Sequence, residues 1–150
     1  MDLSLRVDSD VECWVRHMRQ APGILRVAAT HDPEFSYIHP GDTFWAWFEN
    51  RLGQIVPSIA HKVIVTDNLL DEVLSHWIFF NRRPILHHYP VQLCVGEEVP
   101  TLSGHVGYTD GLWVYPDYRG RSISGLLARV CRNLSVRHFH IDRDVGFIAD

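Results

Sequence analysis

The stretch Leu112-Trp113-Val114-Tyr115-Pro116-Asp117-Tyr118-Arg119-Gly120-Arg121-Ser122-Ile123-Ser124-Gly125-Leu126-Leu127 changes periodicity halfway along. Up to Val114 it is an apolar strand, and Pro116, which has no N–H to give a ladder, ends it. From Ser122 onward the apolar residues Ile123, Leu126, Leu127, Val130, Cys131 and Leu134 recur three and four apart, the spacing of one helix face. A strand, a short loop and a helix follow. The start of a helix gathers unsatisfied N–H groups and the positive end of the dipole, so this junction favours an anion. Arg119 adds a charge-assisted donor, Gly120 a backbone conformation that side chains disfavour, and Ser122 and Ser124 carry hydroxyls beside their N–H groups. Any strand-to-helix turn uses Gly and Ser, so the local chemistry alone leaves a phosphate cradle and a plain turn both open.

Working outward, residues 105–116 read as one long strand interrupted by Gly107 and Gly111, and glycine inside a strand marks a bulge or a close backbone approach. Residues 144–149 read as a strand again. The parallel strand-helix-strand unit over 106–149 is a right-handed crossover. Near the start, residues 3–7 alternate as a short strand, and Asp8 or Ser9 is placed to cap a helix carrying Val11, Trp14, Val15 and Met18 until Pro22 and Gly23 stop it. Residues 24–30 suit a strand or an extended connection, and 31–42 a loop. Residues 43–48, Thr-Phe-Trp-Ala-Trp-Phe, are apolar on both faces, as a strand covered on each side must be. A turn at 50–53 leads into a strand at 54–66, where Pro57 requires a bulge or an unpaired position. Thr66 or Asp67 then caps a helix with Leu70, Val73, Leu74, Trp77 and Ile78 as its stripe, closed by 81–84; a strand at 91–95 and a turn at 96–100 follow. The expectation is one domain over 1–150 of the α/β (α+β) class, with a mixed, mostly antiparallel central sheet flanked by helices.

Composition sets the outer bounds. A chain of 150 residues with 46% hydrophobic content builds one ordinary core. A net charge of -4 gives no whole-molecule attraction to nucleic acid or to an anionic membrane, so neither is an expected partner. Lys62 is the single lysine, and Arg119, Arg121, Arg129, Arg132, Arg137 and Arg143 crowd one segment that suits a polyphosphate or a solvated helix face equally well. Cys13, Cys94 and Cys131 lack the spacing of a disulfide framework or a zinc site. No apolar run approaches the roughly 20 residues of a membrane span, and the first residues lack a signal-peptide stretch, so a cytoplasmic location is expected.

The order apolar strand, Pro, aromatic, then Arg/Gln-x-x-Gly-x-Gly/Ala opening an amphipathic helix is the motif of the GNAT N-acetyltransferase superfamily. Residues 112–127 resemble it in register through Leu112, Val114, Pro116, Tyr118, Arg119, Gly120, Ile123, Leu126 and Leu127. The resemblance implies an acyl-CoA N-acyltransferase-like fold. It also implies that the backbone of Leu112, Trp113 and Val114 holds a pantetheine arm, while Arg119, Gly120, Arg121, Ser122, Ile123, Ser124 and Gly125 hold the CoA pyrophosphate. Acetyl-CoA would be the co-substrate, and an amine-bearing small molecule or protein the second partner. Ser122 and Ser124 depart from the family's glycines and either crowd the phosphates or add donors. The family fold continues past the strand at 144–149 with a helix and two strands, which raises the expectation of a fragment lacking them, of a homodimer that completes the sheet, or of a reduced variant of the fold.

The implied activity is transfer of an acetyl group from CoA to a primary amine by direct attack on the thioester. The alternative is a degenerate, non-catalytic GNAT-like module for CoA binding or interaction. The expected base is Asp110, relayed by Tyr108 or His105, because they precede the pantetheine strand near its bulge; an aspartate beside Gly111 is equally a bulge residue. Trp113 and Val114 N–H groups are expected to face the oxyanion. No metal is expected: His138, His140 and Asp142 would share one strand face, yet they sit between Arg137 and Arg143 and suit a solvated helix end. His87 and His88 are expected at the surface, Trp45 and Trp47 in the core, and Cys131 on an apolar stripe where it is no nucleophile.

Overall fold

The computed structural model describes residues 2–82 and 101–146. The strand and turn expected at 91–100, the end of the strand expected at 144–149, and Cys94, His87 and His88 lie outside them. Five strands form one sheet in sequence order: β1 (Leu3–Asp8), β2 (Thr43–Asn50), β3 (Ile55–Thr66), β4 (Gly104–Val114) and β5 (Arg143–Val145). The first four pair antiparallel and β5 joins β4 in parallel, with α4 (Ile123–Phe139) as the crossover. This is the mixed, mostly antiparallel sheet that the alternating and helical periods predict.

Helix α1 (Val11–Gln20) covers one face. Val11, Trp14, Val15 and Met18 are buried against Trp45, Ala60 and Trp113. Its cap is Asp10, whose Oδ1 accepts from the Cys13 N–H, rather than Asp8 or Ser9. Asp8 instead accepts from the N–H of Asp10, a local turn that sets the entry into the helix. Helix α4 covers the other face, burying Leu127 and Cys131 against Phe44, Ala46, Phe48 and Ile59. Leu126, expected on that stripe, is exposed. β2 is therefore covered on both sides, and each fully buried large side chain there contributes about 1.5–3 kcal/mol.

The helix expected after β3 is two short helices, α2 (Leu69–Leu74) and α3 (Trp77–Phe80), broken at His76 in the left-handed region (φ 62°). The cap is Asn68, not Thr66 or Asp67; its side chain accepts from the Leu70 N–H. Leu69 and Val73 of α2 and Ile78 of α3 are buried, while Leu74 and Trp77, on either side of the break, are exposed. Residues 24–28 form no strand, and the segment that follows is less exposed than its polarity suggests: Thr30, His31, Asp32 and Ser36 are buried.

Two irregularities shape the sheet. Val56 and Pro57 of β3 together face Phe48, which is the bulge Pro57 calls for. On the other edge, Ile59 of β3 faces both Gly111 and Leu112 of β4. Gly111 has φ 62°, and a Cβ there would lie 2.4 Å from the Trp14 ring, so the chain bulges at the residue that has neither a side chain nor a φ penalty.

Candidate functional site

The bulge resets the alternation of β4. Asp110 and Trp113 are three apart, which in a regular strand would put them on opposite faces. Here both face α1: Asp110 lies opposite Ala60 and beside Tyr108, and Trp113 packs with Trp14 and Trp45. The Trp113 indole N–H donates to the Pro22 carbonyl at 3.2 Å, tying the strand to the end of α1.

Tyr108 and Asp110 are brought together as the sequence suggests, for the Tyr108 hydroxyl donates to Asp110 Oδ2 at 2.6 Å. The other carboxylate oxygen accepts from the Gly111 N–H. Burial first, and then the neighbouring Asp110, hold the Tyr108 phenol well above its usual pKa range, so it stays a donor. Its ring stacks on His31 at 5.6 Å, and His31 in turn meets the edge of Trp14. His31 is fully buried; desolvation, with the charges of Lys62 and His61 adding to it, lowers its pKa to about 3. Behind it Lys62 donates to the Tyr37 carbonyl at 3.0 Å, and burial pulls its pKa below the usual lysine range. His105 is elsewhere. It is the second residue of β4, with its backbone N–H on Asp142 and its ring beside the Phe139 carbonyl, roughly 16 Å of strand from Asp110.

The ladder also decides which backbone groups of β4 face away from β3. The Val114 carbonyl accepts from Arg119 Nε at 3.2 Å, and the N–H and C=O of one strand residue point to the same side. The Val114 N–H therefore points away from β3. The Tyr115 N–H, one residue on, donates to the Val56 carbonyl at 2.7 Å, and by alternation Trp113 turns its own N–H onto β3 at Ser58. Of the two N–H groups expected to face an oxyanion, Val114 supplies one to the open side and Trp113 is occupied in the sheet.

Beyond Val114 the chain makes a short turn, Pro116–Tyr118, and reaches α4 through Gly120 (φ 72°) and Ser122 (φ 58°), both left-handed. Ser122 makes no side-chain capping bond, so the N–H groups that open α4 keep their donors. Arg121 lies over the Tyr118 ring at 5.2 Å, and the Tyr118 hydroxyl accepts from Asn50 Nδ2, which moors the loop to the β2–β3 turn. The space where a Cβ would stand at Gly120 and at Gly125 is open. Ile123 is buried, so only its backbone can serve a ligand. These residues suit a pyrophosphate: converging N–H groups, a helix dipole, and Arg119 whose remaining guanidinium nitrogens carry no other bond to the strand.

Among the described residues, strands β4 and β5 pair over Val106↔Arg143, Gly107↔Asp144 and Tyr108↔Val145. Past them lies a cavity of about 580 Å³, between the bulge of β4 (Gly111, Leu112), β5 and the Ala128–Arg132 side of α4. Sequence reasoning missed Asp144, which lines it and accepts from Thr109 Oγ1 at 3.1 Å and Arg132 Nε at 2.8 Å. It also missed the buried His31 and His61; a histidine inside an apolar strand such as 55–66 was the available signal. His138, His140 and Asp142 do not share a strand face, because His138 lies in the last turn of α4, His140 is its left-handed cap and Asp142 bonds His105. Among the described residues no group of three His, Cys, Asp or Glu is placed to hold a metal ion, and no helix is long and apolar enough to cross a membrane.

A sheet with a bulged fourth strand, a parallel fifth strand beside it, and a glycine-bearing loop opening the crossover helix is the fold of the GNAT acetyltransferases, and this chain has it. Among similar solved structures is a GCN5-related N-acetyltransferase from Ralstonia eutropha JMP134, with a TM-score of 0.56 and 20% identity over 99% of this chain and 85% of that one. A predicted acetyltransferase from Clostridium acetobutylicum, solved with acetyl-CoA, gives 0.56 and 14% over 99% and 82%. Glucosamine-6-phosphate N-acetyltransferase from Arabidopsis thaliana gives 0.55 and 9% over 99% and 84%. No protein-family model matches the sequence, and no curated protein is similar to it.

Proposed function

We propose that the chain is an acyl-CoA-dependent N-acyltransferase that transfers an acetyl group from acetyl-CoA to a primary amine. The observation that carries this reading is the alignment of three features along one path: the phosphate-type loop at the start of α4, the outward Val114 N–H, and the cavity that begins at the bulge. A thioester arm leaving the loop would run beside β4, with its carbonyl near the Val114 N–H. Asp110 takes the proton from the incoming ammonium, and the Tyr108 hydroxyl holds that carboxylate in place. The free amine nitrogen then bonds to the carbonyl carbon, the oxyanion forms against the strand N–H, and the C–S bond breaks as the leaving sulfur takes the second proton from nitrogen, releasing the amide and the thiol. Solved neighbours with acetyl-CoA, or with a bisubstrate analogue of CoA and an acetylated aminoglycoside, support a CoA thioester as the donor.

The test is in two stages. In a thermal-shift titration, acetyl-CoA at about 100 times its dissociation constant should stabilise the fold by roughly 2.7 kcal/mol. Thiol release with an amine library then separates an enzyme from a CoA-binding module. The module reading is favoured by Ser122 and Ser124, whose side chains stand where the family's glycines leave the phosphates free; binding without turnover across the library would select it. No shift at millimolar acetyl-CoA sinks both.

A further inference from the structure

Lys62, the single lysine of the chain, is buried on β3, opposite Thr43 of β2 and Tyr108 of β4. Its ammonium donates to two carbonyls at the two ends of one loop, Thr30 at 3.5 Å and Tyr37 at 3.0 Å. A charged donor shared by both limbs holds them together more strongly than a neutral one. Between the limbs the chain turns on Asp32, whose side chain accepts from Arg19 and the Glu34 N–H and whose carbonyl accepts from the N–H groups of Phe35 and Ser36. The loop carries His31 inward. Among the described residues neither ring nitrogen of His31 has a hydrogen-bond partner, and a buried polar group left unpaired asks for a reason. With no bond of its own, the imidazole is placed by its backbone and by packing alone: T-shaped to Trp14, and flat against the Tyr108 ring at 5.6 Å and 18°. The Tyr108 hydroxyl in turn meets Asp110 at 2.6 Å. Clamp and phenol also share one rung of the sheet, since Lys62 and Tyr108 are partners in the ladder.

We propose that Lys62 is a positioning residue for the Tyr108–Asp110 pair: it clamps the loop over 30–37, the loop seats His31 on the Tyr108 ring, and the seated ring keeps the hydroxyl on the carboxylate. The proposal rests on the reading of Asp110 as the base. The experiment measures kcat for amine acetylation and the acetyl-CoA dissociation constant in Lys62→Met, His31→Leu and the double variant. Each single variant should lower kcat on the order of ten-fold and leave the dissociation constant unchanged, because displacement of the base does not touch the donor's loop at Arg119 and Gly120. The double variant should fall no further than the worse single, since both act along one path; independent defects would multiply to about a hundred-fold. His31→Phe, which keeps a flat ring, should restore most of what His31→Leu loses. An unchanged kcat in Lys62→Met, a multiplied loss in the double variant, or a matching loss of donor affinity overturns the proposal. Should Lys62→Met fail to fold, Lys62→Arg keeps the charge but moves the donors, and must show the same split between kcat and donor affinity. Wild-type protein that acetylates no amine overturns the reading of Asp110 and this inference with it, whereas an active wild type with an unaffected Lys62→Met overturns the clamp alone.

Discussion

Gly111→Ala tests the bulge on which the site geometry depends. Two costs add. An alanine at φ 62° sits in the left-handed region, which disfavours a side chain by about 1–2 kcal/mol. Its Cβ would also stand 2.4 Å and 2.6 Å from two atoms of the Trp14 ring, a residue with no exposed surface and no room to withdraw, and overpacking of this kind costs about 1–3 kcal/mol. The expected destabilisation is about 2–5 kcal/mol, a fall in Tm on the order of 10 °C for a chain of this size. Guanidinium unfolding followed by tryptophan fluorescence measures it, and near-UV circular dichroism reports whether the indole has moved. A loss below about 1 kcal/mol with an unchanged m-value would mean that neither the φ nor the Trp14 contact is as described. The bulge would then not be what sets Asp110 and Trp113 on one face.

Three further outcomes are expected. Tyr108→Phe removes the hydroxyl that holds Asp110 and should lower kcat by about ten-fold or more while leaving the acetyl-CoA dissociation constant unchanged, as steady-state kinetics and titration will show. Arg119→Glu puts a negative charge beside the loop and should abolish the thermal shift with acetyl-CoA; a retained shift would remove the loop from the donor site. The third concerns His31, which titrates near its ordinary 6.5 when unfolded but only at about 3 in the folded chain. Its contribution is therefore complete above pH 6.5 and is lost as pH falls towards 3, because the unfolded state takes up the proton first. Denaturant titrations should show stability falling by about 1.4 kcal/mol per pH unit on this account, a slope that His31→Phe removes.

What was legible in the sequence was local. The change of period between Val114 and Ser122 marks strand, loop and helix because each period needs only its own neighbours, and the phosphate-type junction follows from residues within a single turn. Pro57 likewise announces its bulge, since the missing N–H is a property of the residue. Capping was ambiguous for a different reason: Asp8, Ser9 and Asp10 all have cap chemistry, and only the backbone path shows that Asp10 reaches Cys13 while Asp8 bonds Asp10. The break at His76 left no trace, because a left-handed residue other than glycine carries no compositional signal and the apolar spacing runs through it.

The site is where distant residues meet, and there local pattern fails. Thr109 and Asp144 are 35 positions apart, and nothing near either one announces the other. His61 reads as a polar interruption in an apolar strand until the strand order buries it below β5 and α4. Gly111 shows the subtlest case. Its presence marks an irregularity, but strict alternation still assigns Asp110 and Trp113 to opposite faces. The partner register reverses that assignment: Ile59 spans Gly111 and Leu112, so one extra residue in β4 returns Trp113 to the face of Asp110. The same extra residue turns the Val114 backbone away from β3, where Arg119 meets its carbonyl and where its N–H is free to meet a donor's. A single glycine therefore governs the carboxylate and the strand donor together, and moving the bulge by one residue would separate them.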